Sequence, residues 1–225
     1  MSDPESHKFN QDFQTWKKEQ GITSDLGEIL EGSHSWEQGS EIQNFEKKYP
    51  GISNEFDLLI SLLPDPNNPH KSEFPFAASV VRMTENGKME VLARSTNRVN
   101  EHNDSTQHAE LAVLQDAQKQ TLNKHLDGCM LLSTAQPCEM CAGAIRHTNL
   151  STVVYAVSQK DLAGTHVQFK DKFQPHRTVP AGFDTDELLR ASGVEVFTGY
   201  KRKEVLNRLK RIWGSFHGYY RDPDA

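Results

Sequence analysis

A chain of 225 residues with 36% hydrophobic and 25% charged side chains has the composition of a globular protein, large enough for one good-sized domain with an extension. Its three cysteines and the absence of a long apolar run exclude a disulfide scaffold and a membrane-spanning protein, and point to a reducing, cytoplasmic home. The net charge of −6 is uneven, with 13 acidic and 5 basic groups in residues 1–70 and near-neutrality after them, a balance unlike that of a general nucleic-acid binder.

Residues 1–70 read as an acidic N-terminal extension, helical and loop-like, of unassigned role. Residues 9–18 set Phe9, Phe13 and Trp16 along one side of a short helix. Residues 27–40, rich in Gly, Ser and Glu, read as loop. Residues 53–63 line up Phe56, Leu59, Ile60 and Leu63 and predict a second helix, which the run Pro64-Asp65-Pro66-Asn67-Asn68-Pro69 stops. Phe13, Trp16 and Trp36 read as packing anchors, so the extension is expected to pack on something.

From Phe74 onward the pattern becomes one of strands and helices in alternation. Residues 76–83 and 89–94 read as two strands joined by a turn at 85–88. A loop over 95–106 leads to a helix opening at His108, with Leu111, Leu114 and Ala117 on one face and Ser105-Thr106 offering its cap. Residues 129–133 form an apolar strand that delivers the chain to a helix near Cys138, with Pro137 suited to the first helical position. Strands follow at 152–157 and 194–197, and a helix over 204–213 buries Val205, Leu209 and Ile212. The order implies an α/β fold in residues 71–225, a three-layer α-β-α sandwich around a five-stranded mixed sheet. Ligands bind such open sheets at the strand ends.

Two short stretches stand out, His108-Ala109-Glu110 and Pro137-Cys138-Glu139-Met140-Cys141. A catalytic zinc takes three protein ligands and keeps one position open, and one imidazole with two thiolates is an accepted set. Cys138 and Cys141, three residues apart, share one face of a first helical turn. The helix N-terminus favours their thiolates. Glu110 is two residues from His108 and shares no helix face with it, so His108 must stand at or just before the first turn for both to reach one metal. A closed structural zinc site is the competing reading, although it normally recruits four protein ligands. A redox pair would require different surroundings. Cys129, in an apolar run, reads as a core residue. His102 and His147 read as surface or packing histidines.

The combination H-A-E and P-C-E-M-C resembles the signature of zinc-dependent deaminases. From about Phe74 to the C-terminus the chain is similar to the cytidine deaminase superfamily, and within it to the branch of guanine deaminases, cytosine deaminases and tRNA adenosine deaminases. Three further stretches carry the resemblance: Asn97, eleven residues before His108; Cys141-Ala142-Gly143-Ala144-Ile145; and His166-Val167-Gln168-Phe169-Lys170-Asp171-Lys172-Phe173, which is similar to a guanine deaminase motif. Gln136 stands where these relatives often carry glutamate, and residues 174–192 look like an insertion.

The resemblance implies one zinc ion per chain on His108, Cys138 and Cys141, with Glu110 as the general base that moves protons. It implies substrate contacts from Asn97, Phe76, Ala77, Gln136 and His166, although a loop-capping role competes for Asn97. The expected reaction replaces the exocyclic amine of a free nucleobase or nucleoside, guanine favoured, with a carbonyl and releases ammonia. Residues 166–183 are expected to cover the site, and a homodimer is implied. A tRNA adenosine deaminase is the alternative, supported by the basic residues Lys201, Arg202, Lys203, Arg208, Lys210 and Arg211, for which a solvated helix face competes. A non-catalytic scaffold whose acidic extension recruits a partner is more remote, because the four site residues are intact.

Overall fold

The structure, a computed structural model, describes residues 39–65, 75–166 and 184–216. In chain order its elements are helices α1 (Gly39–Lys48) and α2 (Ile52–Leu62), strands β1 (Ala77–Met83) and β2 (Met89–Thr96), helices α3 (Val99–His102) and α4 (Ala109–Thr121), strand β3 (Cys129–Ala135), helix α5 (Glu139–His147), strand β4 (Thr152–Val157), helices α6 (Gln159–His166) and α7 (Thr185–Ala191), strand β5 (Glu195–Thr198) and helix α8 (Arg202–Phe216).

β3 and β4 are buried along their whole length, as central strands covered on both faces must be. β1 runs antiparallel to both β2 and β3, while β3, β4 and β5 are parallel, in the order β2-β1-β3-β4-β5. The β1–β2 hairpin closes through Thr84, whose N–H donates to the Lys88 carbonyl at 2.8 Å. Gly87 supplies the positive φ of 70° that this turn needs.

Alternation along the strands divides the interior into two cores. On one face Phe45, Ile52, Phe56, Leu59 and Leu63, together with Val205, Leu209 and Ile212, pack on Ala77, Val81, Leu132, Val154 and Phe197. On the other, Ala109, Val113 and Ala117 of α4, Ala142 and Ile145 of α5 and Leu189 of α7 pack on Ala78, Val80, Leu131, Val153 and Val196. This is the three-layer sandwich with a mixed five-stranded sheet. No helix among the described residues is long and apolar enough to cross a membrane.

Packing is continuous across the boundary expected at residue 70. The stripe on α2 is buried on the sheet, and α1, for which the sequence reading had no helix, adds Phe45 at 4.8 Å from the Phe197 ring. Tyr200 lies 4.9 Å from Phe56, and its hydroxyl donates to Glu46 at 2.6 Å. Arg94 on β2 donates two 2.7 Å hydrogen bonds to the buried Glu55 carboxylate of α2. Residues 39–65 therefore form part of the same packed body. The expected helix at 9–18 and the anchors Phe13, Trp16 and Trp36 lie outside the described residues.

The end of the stretch 174–192 is helical. α7 occupies 185–191 and buries Leu189 in the second core, because the parallel step from β4 to β5 requires a crossover covering a sheet face. Phe56→Ala is expected to lower unfolding free energy by about 3–5 kcal/mol, the cost of emptying a packed aromatic site. Urea denaturation measures it, and an unchanged midpoint would show that α2 is not structurally part of the domain.

Candidate active site

α4 and α5 begin at the same end of the sheet, and the first turns of both helices supply the site. His108 is the N-cap of α4, with extended backbone at φ −65° and ψ 153° and no side-chain capping bond. Its ring is thereby left to turn toward the cysteines. The cap expected from Ser105-Thr106 is not made: Thr106 bonds back to Asp104 through its N–H at 2.8 Å and its hydroxyl at 2.7 Å. Cys138 is likewise the N-cap of α5, in extended conformation, and Cys141 lies in the first turn. Pro137 thus precedes the cap instead of opening the helix, since the chain stays extended through Cys138.

His108 Nδ1 lies 3.5 Å from Cys138 Sγ and 3.7 Å from Cys141 Sγ, and the two sulfurs are 3.6 Å apart. Among the described residues these three form the one His, Cys, Asp or Glu group whose donor atoms converge in a way that can hold a metal ion. Tetrahedral zinc with its usual bonds to nitrogen and thiolate sulfur sets such donors about 3.6–3.8 Å apart, so the triangle fits zinc as it stands. Two helix N-termini face this point, and their partial positive charge favours anionic sulfur.

The electrostatics agree with the geometry. Cys138 is pulled down to about 4, chiefly by its contact with the Cys141 sulfur and then by His108. Cys141 is pushed up by that same contact and by burial. His108 is raised by its contact with Cys138. Glu110 is pushed up to about 7, above all by burial.

Glu110 lies beside the triangle. Its Oε2 accepts from Cys141 Sγ at 3.8 Å and its Oε1 from the Ser133 hydroxyl at 3.4 Å. Ser133 in turn accepts the Ala135 N–H at 3.3 Å. This residue was hidden in the apolar β3 run; only the two-residue alternation that turns Leu131 and Ser133 to the α4 face could have indicated it.

The expected substrate contacts separate. Asn97 is 2% exposed, its N–H donates to the Phe76 carbonyl at 3.0 Å, and its Oδ1 accepts the Val99 N–H at 3.0 Å. The side-chain carbonyl thus has the capping role, leaving the amide NH2 for other work. Phe76 borders both cores. Ala77 turns to the core of α2 and α8, opposite the face of α4 and α5, and its N–H donates to Thr134 Oγ1 at 3.0 Å. Gln136 is occupied on every polar atom of its side chain by protein partners. Residue 166 ends α6, and the expected cover over 167–183 lies outside the described residues. His102 meets Glu101 at 3.6 Å on the surface, and His147 is exposed at the far end of α5. Cys129 is a buried core residue at the start of β3.

Comparison with known proteins agrees with this geometry. The cytidine and deoxycytidylate deaminase zinc-binding region matches residues 61–157. A tRNA-specific adenosine deaminase of Agrobacterium fabrum is 43% identical over 118 residues, 52% of this chain and 76% of that relative. The guanine deaminase of Bacillus subtilis is 35% identical over 99 residues, but the match spans only 59% of its length and 44% of this chain. The solved guanine deaminase from Nitrosomonas europaea superposes with a TM-score of 0.55 at 26% identity, covering 69% of this chain and 81% of that one.

Proposed function

The chain belongs to the cytidine and deoxycytidylate deaminase zinc-binding family, and we propose from this premise that it is a zinc-dependent hydrolase of cyclic amidines. One observation carries the reading: a buried carboxylate, Glu110, stands next to a three-donor metal site without being needed to complete it. His108, Cys138 and Cys141 would hold the ion, which when bound supplies a Lewis acid that makes hydroxide available near neutral pH. Glu110 takes a proton from water and passes it to a ring nitrogen of the substrate. Oxygen adds at the carbon bearing the exocyclic amine, Glu110 delivers the second proton to that amine, and ammonia leaves as the carbonyl forms. Water and the amino compound are consumed; a carbonyl compound and ammonia are produced. The NH2 of Asn97 donates to a ring nitrogen or carbonyl, while its Oδ1 holds the loop through Val99.

For the substrate we favour a free nucleobase or nucleoside, guanine first. The basic residues near the C-terminus support this choice, because half of them already serve the fold. Lys201 Nζ lies 2.6 Å from Asp57 and donates to the Ser53 carbonyl at 3.0 Å. Arg202 pairs with Asp161 through its Nε at 2.9 Å, and Arg208 donates to the Leu63 carbonyl at 3.1 Å. Lys203, Lys210 and Arg211 remain at the surface, a small footprint for a polynucleotide. The relatedness of the solved Nitrosomonas europaea guanine deaminase, and of a further solved structure bound to 2,6-diaminopurine, supports the same choice. Assembly as a homodimer belongs to this proposal.

The second reading is adenosine deamination in tRNA, favoured by the 43% identity to a tRNA-specific enzyme. A gel shift with a tRNA anticodon stem-loop across a salt series separates the two. Phosphate contacts release counterions, so genuine RNA binding weakens steeply with salt. We expect no shift at physiological salt; a tight, salt-sensitive complex would move the assignment to tRNA.

A further inference from the structure

Gln136 has more work in the structure than its sequence position announces. Its backbone N–H donates to the Val157 carbonyl at 2.8 Å, extending the β3–β4 pairing past the end of β3. Its side-chain carbonyl accepts the Gln159 N–H, at the start of α6, at 2.9 Å. Its NH2 faces three oxygens at the start of α7: Asp186 Oδ1 at 3.0 Å, Thr185 Oγ1 at 3.2 Å and Asp184 Oδ1 at 3.4 Å. Asp184 is itself the cap of α7, and Asp186 also accepts the Tyr155 hydroxyl at 2.7 Å, with Arg190 at 3.9 Å. One amide therefore ties the ends of β3 and β4 to the beginnings of α6 and α7.

Cys138 lies two residues further on, separated from this junction only by the buried Pro137, whose ring fixes φ. The two candidate thiolate ligands are held differently. Cys141 is in the first turn of α5, and the next residues on that face, Ala142 and Ile145, are packed in the second core. Cys138 is the extended N-cap, so the segment that leads to it sets where its sulfur stands. We infer that Gln136 is a positioning residue for the metal centre: by clamping α6 and α7 to the end of β3, it holds the approach to Cys138 so that its sulfur meets His108 and Cys141. The inference rests on the proposed zinc site. A glutamate here would keep the acceptor for Gln159 but turn a third carboxylate toward Asp184 and Asp186; the amide joins these groups without that repulsion.

The test compares zinc affinity, by competition with a chromophoric chelator, and the cobalt(II) spectrum in the full chain and three variants. Gln136→Met keeps the length and loses every polar contact; Gln136→Glu loses only the NH2. Tyr155→Phe removes a hydrogen bond of the same network that does not pass through residue 136. Both Gln136 variants are expected to bind zinc about 10–100-fold more weakly, as the loss of an outer partner of a metal site does, and to shift the thiolate-to-cobalt absorption. Tyr155→Phe is expected to melt earlier yet keep wild-type zinc affinity and spectrum. Should Gln136→Met fail to fold, Gln136→Glu carries the same comparison. Unchanged zinc affinity in a folded Gln136 variant, or an equal loss in Tyr155→Phe, overturns the inference and leaves the network a matter of stability alone. A wild-type chain that binds no zinc is a different result, and overturns the metal reading together with it.

Discussion

Glu110→Gln is expected to keep its zinc while ammonia release falls by about 10²–10⁴-fold or more, the range of a general acid–base contribution. The carboxylate is 5% exposed and meets the triangle at Cys141, so its removal takes away the proton carrier and leaves three donors in place. Zinc content by metal analysis and rate by an ammonia assay must be measured on the same preparation. If zinc leaves with the carboxylate, Glu110 is a ligand and the division of labour drawn above is wrong. The amide is close in size to the carboxylate, so a loss of fold is not expected to confuse the outcome.

Cys138→Ala and Cys141→Ala are each expected to lose zinc and activity together. Two donors cannot fix a tetrahedral ion, and metal affinity here depends on deprotonated sulfur. Cys129→Ala is the control. That residue is buried in the core of the second sheet face and is expected to keep both zinc and activity. Equal zinc loss in Cys129→Ala would mean that a fourth protein ligand closes the site, which would then be structural.

The candidate metal site was legible because its information is local. Three residues at 108–110 and five at 137–141 carry both the donor set and the helix starts that aim it. What sequence spacing could not carry is contact across the chain. Gln136 read as a replacement on the substrate side, yet its partners lie 23 to 50 residues away, and no local pattern joins them. Ala77 was expected among the substrate contacts, but strand alternation turns its side chain to the core of α2 and α8. α1 escaped notice because Ile42, Phe45 and Tyr49 are scattered through a polar stretch, and their burial against Phe197 and α8 depends on residues from the other end of the chain. Ser105 and Thr106 had cap chemistry but the wrong place, since the loop turns through Asp104 before His108 begins the helix. Among the basic residues at 201–211, Lys201, Arg202 and Arg208 have partners in Asp57, Asp161 and two carbonyls, contacts that the helix-face pattern alone does not announce.

The central claim is that this site hydrolyses the amine of a small cyclic amidine. Its most direct test is ammonia release by the zinc-loaded chain over guanine, adenine, cytosine, their nucleosides and a tRNA anticodon stem-loop. The account predicts release from guanine or another free base or nucleoside, little altered by moderate salt because no phosphate contacts are involved. Release from the stem-loop alone, or from none of these compounds while zinc is bound, would contradict it.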